Sequence, residues 1–174
     1  MITRASLLLG SVAFLVFWIN SALFDDQFYG YDLPWALQLA IHGSSILFLT
    51  VGLAGVIRDA NARGEPRLVI AALAIAIVGQ FTFLPLFFAA TGALGLATAV
   101  RHKVTIANPP LILGAVLFLS AWVTGARPGF DDAPALNRWQ EFLVASGVTF
   151  TAVGCAGLSI STRTRRTLDR WGRS

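Results

Sequence analysis

The chain has 174 residues, of which 56% are hydrophobic and 13% are charged, and its formal net charge at pH 7 is +4. Soluble globular domains carry about 45–50% apolar and about 25% charged residues, so this composition excludes an ordinary soluble domain. No charged side chain occurs from Leu68 to Val100, and this long uncharged stretch indicates an integral membrane protein.

Four other stretches are long enough to cross a bilayer. A hydrocarbon layer about 30 Å thick requires about 20 uncharged residues, because a helix rises about 1.5 Å per residue. The stretches that meet this requirement are Ala5–Phe24, Leu33–Ile57, Val104–Ala126 and Phe142–Thr162. Only helices and closed barrels satisfy their backbone groups in lipid, and spans of this length predict an all-α, polytopic membrane protein.

The stretch from Leu68 to Val100 is too long for one span, because a single helix of this length would extend about 50 Å. Pro85 supplies a break within it, since proline lacks the amide proton and clashes with the preceding helical turn. Each half then reaches about 25 Å, which is marginal for a full crossing. The residues leave open whether the stretch makes two full spans or a re-entrant hairpin.

The basic residues favour six crossings, because Lys and Arg in short loops gather on the cytoplasmic side. With six crossings and both termini inside, only Arg127 and Arg138 of the 13 basic residues lie outside. Five crossings would divide the basic residues almost evenly between the two sides. We predict a cell-membrane protein with both termini cytoplasmic, helices at 5–24, 34–57, 67–83, 85–100, 107–126 and 139–161, and a basic cytoplasmic tail at 163–174.

An internal repeat supports this arrangement. Leu7–Trp18 aligns with Leu111–Trp122 at an offset of 104 residues, with identical residues at seven of twelve positions. In the helices that follow, Val51–Gly55 resembles Val153–Gly157 at an offset of 102. The first and third hairpins would then cross the membrane in the same orientation. We therefore predict three helical hairpins related by a parallel internal repeat.

Few side chains at membrane depth could form a site. His42 lies inside the second predicted span, and an ionisable group at that depth is a functional candidate because burying it without a partner costs free energy. Asn20 and Gln38 are predicted in the same outer half of the first hairpin. These three residues could line an outward-facing polar ligand pocket. The alternatives are a structural role for His42, and interhelical hydrogen bonds that fix packing for Asn20 and Gln38.

Metal, haem and catalytic sites are not predicted. His102 belongs at the inner end of the fourth helix, too far from His42 for both to ligate one haem. The aspartate pairs 25–26 and 131–132 could meet outside the membrane, where oxygen ligands suit calcium, but acidic outer loops explain them as well. The chain contains no phosphate-binding glycine loop, zinc-type Cys/His spacing or nucleophile elbow.

The leading functional hypothesis is a non-catalytic accessory or assembly subunit. Such a protein would contact membrane lipid and either another membrane protein or a second copy of itself. The alternative is a small carrier or binding protein for a mostly apolar molecule, held near Asn20, Gln38 and His42. We predict that the chain is not an enzyme, needs no cofactor or metal, and does not bind nucleic acid.

The orientation can be tested by cysteine labelling in a Cys155→Ala background. Thr3→Cys and Ser174→Cys should react with a membrane-impermeant maleimide only after permeabilisation, because both termini are predicted to be cytoplasmic. Arg127→Cys, in a predicted outer loop, should react in intact cells and serves as the control. Labelling of only one terminus in intact cells would exclude six crossings.

Overall fold

The computed structural model describes residues 2–23, 35–101, 105–126 and 136–171. Within these ranges the secondary structure is helical, without strands, which confirms the all-α prediction. The helices are α1 (Ile2–Leu23), α2 (Trp35–Ala62), α3 (Arg67–Thr82), α4 (Leu84–Arg101), α5 (Asn108–Val123) and α6 (Arg138–Trp171).

Four of the described helices are long and apolar enough to cross a membrane. The apolar segments are Ile2–Asn20 in α1, Ala36–Ala62 in α2, Leu84–Arg101 in α4 and Arg138–Ile160 in α6. Helices α3 and α5 are also apolar but have 16 residues each. At a rise of about 1.5 Å per residue they extend about 24 Å. The number of membrane crossings therefore stays a prediction.

The uncharged stretch 68–100 forms two helices that reverse direction at Phe83. This residue is extended (φ −158°, ψ 102°), and its amide donates a hydrogen bond to the Gly79 carbonyl at 3.1 Å. Pro85 lies in the first turn of α4, where helices tolerate proline because the amide there has no intrahelical partner. A Cβ at Gly79 would lie 2.5 Å from the Phe87 backbone nitrogen, so α3 and α4 approach closely.

The helices form a closed ring. Each helix packs against the next along the chain, and α6 packs back against α1. A tight turn contributes to this arrangement, because α2 leads into α3 through residues 63–66. Gly64 in this turn has a φ of 66°, which residues other than glycine rarely adopt. The last helix continues to Trp171, through most of the segment predicted as a basic tail.

Aromatic side chains from three helices meet inside the ring. Phe88 of α4 stacks on Phe118 of α5 with ring centroids 3.7 Å apart and planes 4° apart. Phe14 of α1 lies 5.4 Å from Phe87 and 6.2 Å from Phe88, both on α4. Phe87, Phe88 and Phe118 are at most 1% exposed. These rings connect α1 and α4 across the bundle.

Glycine allows α1 to approach α2 closely, and α5 to approach α6. A Cβ at Gly10 of α1 would lie 2.6 Å from the Leu49 backbone nitrogen in α2. A Cβ at Gly114 of α5 would lie 2.7 Å from the Thr151 backbone nitrogen in α6. Atoms this close to backbone cannot be accommodated by a side-chain rotation. Both interfaces therefore require glycine at these positions.

Replacing either glycine by alanine should destabilise the bundle. We expect Gly10→Ala and Gly114→Ala to lower the free energy of unfolding by about 1–3 kcal/mol each, as other overpacked sites do. Gly43→Ala is the matched control, because a Cβ there would meet no atom within 4 Å. The control should leave stability unchanged or raise it by up to about 1 kcal/mol through helix propensity. Thermal unfolding in detergent micelles measures the difference, and equal stability of all three variants would contradict the close approach.

Candidate ligand cavity

A cavity of about 170 Å³ lies between α1, α2 and the end of α3 where the chain turns into α4. Helix α2 presents His42, Ser45 and Ile46 to it, because residues three and four apart lie on one face of a helix. The remaining lining residues are Phe14 and Trp18 of α1 and the segment Gln80–Leu84.

The His42 imidazole is half-buried and is held from the α1 side by an aromatic ring. The ring of Phe17 lies 4.2 Å from the imidazole, centroid to centroid, with an interplanar angle of 34°. Ser45, one turn further along α2, is 1% exposed. The polar part of the α2 wall is therefore ordered by packing against α1.

Polar atoms of two cavity residues have no hydrogen-bond partner in the part of the chain that the structure describes. They are Nδ1 of His42 and both Nε2 and Oε1 of Gln80, and all three atoms are buried. A buried donor or acceptor left unpaired costs about 1–3 kcal/mol. Thr50, Asn108 and Thr151 also carry an unpaired buried atom, but none of them lines the cavity. The unpaired atoms of His42 and Gln80 have almost no accessible surface, so these two residues line the cavity through other atoms.

The other walls of the cavity are mainly apolar. Phe14 and Trp18 contact each other with ring centroids 6.4 Å apart. Phe81 and Phe83 are 62% and 47% exposed, so they form an apolar rim. Thr82 is already satisfied, because its hydroxyl donates to the Val78 carbonyl at 3.0 Å. The arrangement can accommodate a small, mostly apolar molecule.

Of the three residues predicted to form a pocket, one lines this cavity. His42 lies in the cavity wall, whereas Gln38 and Asn20 are half-buried and are not among the lining residues. Gln80 and Ser45 take their place. The sequence carried a signal for Gln80, since it is an amide within a long uncharged stretch. It carried no signal that Gln80 lies close to α2, because that contact depends on how the helices pack.

Other candidates provide no second site among the described residues. The two aspartate pairs and His102 lie outside the described ranges. Cys155 is buried within α6 as a free thiol. In the ranges that the structure covers, no group of three or more His, Cys, Asp and Glu side chains could hold a metal ion. The cavity is therefore the candidate functional site among the residues that the structure describes.

Comparisons with protein-family models, with curated proteins and with solved structures found no match to this chain.

Two glutamines allow a matched test of the unpaired amide. Gln80→Met replaces it with an apolar side chain of similar shape and should raise the free energy of unfolding by about 1–2 kcal/mol. Gln140→Met should lower the free energy of unfolding by about 1 kcal/mol. The side-chain amide of Gln140 donates to the Thr124 backbone carbonyl at 3.0 Å and accepts from the backbone N–H of Asn137 at 3.1 Å. Thermal unfolding of both purified variants shows whether each substitution raises or lowers the free energy of unfolding. A loss of stability in Gln80→Met would mean that bound water or another group already satisfies the amide.

Proposed function

We propose that this chain is a six-span protein of the cell membrane with both termini on the cytoplasmic side. The four long apolar helices support this topology, as does the concentration of basic residues in the predicted inner segments. Helices α3 and α5, at about 24 Å, would cross with local thinning of the bilayer or with flanking residues reaching to the interface. The sharp turn at Phe83 suits a hairpin that enters and leaves on one side.

We also propose that α1–α2 and α5–α6 are the parallel repeats, with α3–α4 as a third hairpin between them. The support comes from matching close contacts at an offset of 104 residues in the first helix and 102 in the second. The contact of Gly10 with Leu49 corresponds to that of Gly114 with Thr151. Two further contacts correspond in the same way. The contact of Gly52 with Leu7 corresponds to that of Gly154 with Leu111, and the contact of Gly55 with Thr3 corresponds to that of Gly157 with Ala107.

We infer that the protein binds a small, mostly apolar molecule in the cavity between α1, α2 and α3, and that it does not catalyse a reaction. The observation that carries this proposal is the cavity itself, which is lined mainly by aromatic and aliphatic side chains together with His42, Ser45, Gln80 and Thr82.

The proposed repeat adds support, because the cavity occurs where the first hairpin departs from the third. His42 corresponds to Val144, which is fully buried, and Ser45 corresponds to Gly147. A Cβ at Gly147 would lie 2.8 Å from the Phe118 backbone nitrogen, so α5 and α6 leave no room there. The first hairpin thus has both polar residues and open space at these positions. The proposed third hairpin has apolar residues and close packing there.

The role of an accessory or assembly subunit stays a prediction. Exposed apolar residues on the outer faces of the ring, such as Leu47 and Val116, serve equally well as contacts for lipid and for a partner helix. A stable monomer after mild detergent extraction, with nothing co-purifying, would remove the support for that role.

Toluene is a suitable probe of the binding proposal, because a cavity of about 150 Å³ is known to hold benzene. At about ten times its dissociation constant, toluene should raise the melting temperature of the micelle-solubilised protein by about 3–6 °C. Ile46→Phe, which fills the cavity, should abolish the shift. Leu47→Phe is the control, because Leu47 is 60% exposed on the same helix and does not line the cavity. Equal shifts in all three proteins would indicate an effect on the micelle and would refute binding in the cavity.

A further inference from the structure

We propose that the last part of α6, residues 161–171, is a binding site for the headgroups of anionic phospholipids. This segment, the α6 extension, would attract acidic lipids of the inner leaflet to the end of the bundle from which it projects. The inference rests on the proposed membrane topology. It adds an interaction surface that is separate from the cavity.

Contacts between the helices show which helix ends lie together. The contacts are Gly55 of α2 with Thr3 of α1, Thr98 of α4 with Asn108 of α5, and Gly157 of α6 with Ala107 at the start of α5. The turns at residues 63–66 and at Phe83 bring the end of α4 to the same end of the bundle as the end of α2. Helices α1 and α5 therefore begin where α2 and α4 end, and α6 passes this level before its extension. We call this the basic end of the bundle.

The charges of the described residues are divided unequally between the two ends. Apart from the α6 extension, the basic residues at the basic end are Arg4, Arg58, Arg63, Arg67 and Arg101. Of the basic residues that the structure describes, only Arg138 lies at the opposite end. Asp59 and Glu65 pair with Arg58 at 3.7 Å and with Arg63 at 3.5 Å. The side chain of Arg58 is still 78% exposed, so the basic end keeps an excess of positive charge at its surface.

The α6 extension has the highest density of positive charge at this end. Arginine occurs at positions 163, 165, 166 and 170, against the single acidic residue Asp169. The helix continues through these positions without glycine or proline. Positions 163, 166 and 170 are three and four residues apart, so they lie on one face of the helix. Arginine suits phosphate as a partner, because its planar guanidinium offers several donors in a geometry that phosphate oxygens match.

Continuity with a membrane span determines which anion this segment meets. The apolar part of α6 ends at Ile160, and the extension reaches about 16 Å beyond it if the helix stands along the membrane normal. The headgroup layer is about 5–8 Å thick on each side of the bilayer, and the Debye length at physiological ionic strength is about 8 Å. All four arginines thus stay within the headgroups or about one Debye length from them. A soluble polyanion would have to compete with lipid phosphate that is always within this range.

Energy transfer from a dye on the tail to labelled lipid tests the proposal. In a Cys155→Ala background, full-length protein with Ser174→Cys carries a donor dye and is reconstituted into phosphatidylcholine vesicles. The acceptor is attached to the acyl chain of either phosphatidylglycerol or phosphatidylcholine, so the two probes differ only in the headgroup. We expect the phosphatidylglycerol probe to reach half-maximal transfer at a mole fraction about fivefold lower, a ratio that corresponds to about 1 kcal/mol. The ratio should approach one in about 1 M salt, where the Debye length is about 3 Å.

Variants identify the positions that attract the lipid. Substitution of Arg163, Arg166 and Arg170 together by glutamine should reduce the preference to about twofold or less, because three of the charges near the surface are lost. Glutamine and arginine have similar helix propensities, so the helix is kept. Lysine at the same three positions is the matched control, since it keeps the charge and should retain most of the preference. An undiminished preference in the glutamine variant would overturn the proposal.

The site and the topology on which it rests are tested by different measurements. Maleimide labelling of Ser174→Cys in cells reports the side of the membrane, whereas the vesicle measurement is independent of orientation. A cytoplasmic tail with equal transfer to both lipids would overturn the lipid site and leave the topology standing. A tail outside the cell would overturn the topology and the assignment to the inner leaflet. Loss of the lipid preference on addition of a micromolar RNA oligonucleotide would show that nucleic acid is the better ligand and would overturn the proposal.

Discussion

Close approach of helix backbones at glycine is the constraint on which this bundle depends. In lipid, apolar side chains gain nothing by moving from the bilayer to a protein interface, so helices associate through van der Waals contact and interhelical hydrogen bonds. Gly10 and Gly114 each bring one helix against the backbone of its partner, and Gly79 does the same at the turn between α3 and α4. The inward-facing aromatic rings, above all the stacked pair Phe88 and Phe118, then fill the space that the ring of helices encloses.

The cavity follows from the same constraint, because it lies where close packing is relaxed. Position 45 is serine, and the proposed counterpart in the third hairpin is Gly147, which contacts the Phe118 backbone. The imidazole of His42 packs on the ring of Phe17, whereas Val144, the proposed counterpart of His42, is fully buried.

The sequence predicted the class of the fold more reliably than the positions of its site residues. The helical character of the chain follows from long uncharged segments, and these are visible residue by residue. Helix ends are less accessible, because charge marks the limit of the apolar layer and not of the helix. Helix α2, expected to end at Ile57, continues to Ala62 through Arg58 and Asp59.

The site residues could be predicted only in part, for a related reason. His42 was identifiable by its rarity at membrane depth, and Asn20 and Gln38 were grouped with it because all three were predicted in the outer half of the first hairpin. The placement of His42 and the end of α3 around one cavity has no local signature. It depends on where Phe83 reverses the chain, on the approach of Gly79 to Phe87, and on closure of the ring.

Closure of the ring has a consequence for biosynthesis. Helix α1 is made first and α6 last, yet they pack directly against each other. The face of α1 that meets α6 therefore has no partner from this chain until α6 has been made. In a truncated chain that lacks α6, this face of α1 would stay uncovered permanently. We expect quality-control proteases to recognise such a chain as incomplete.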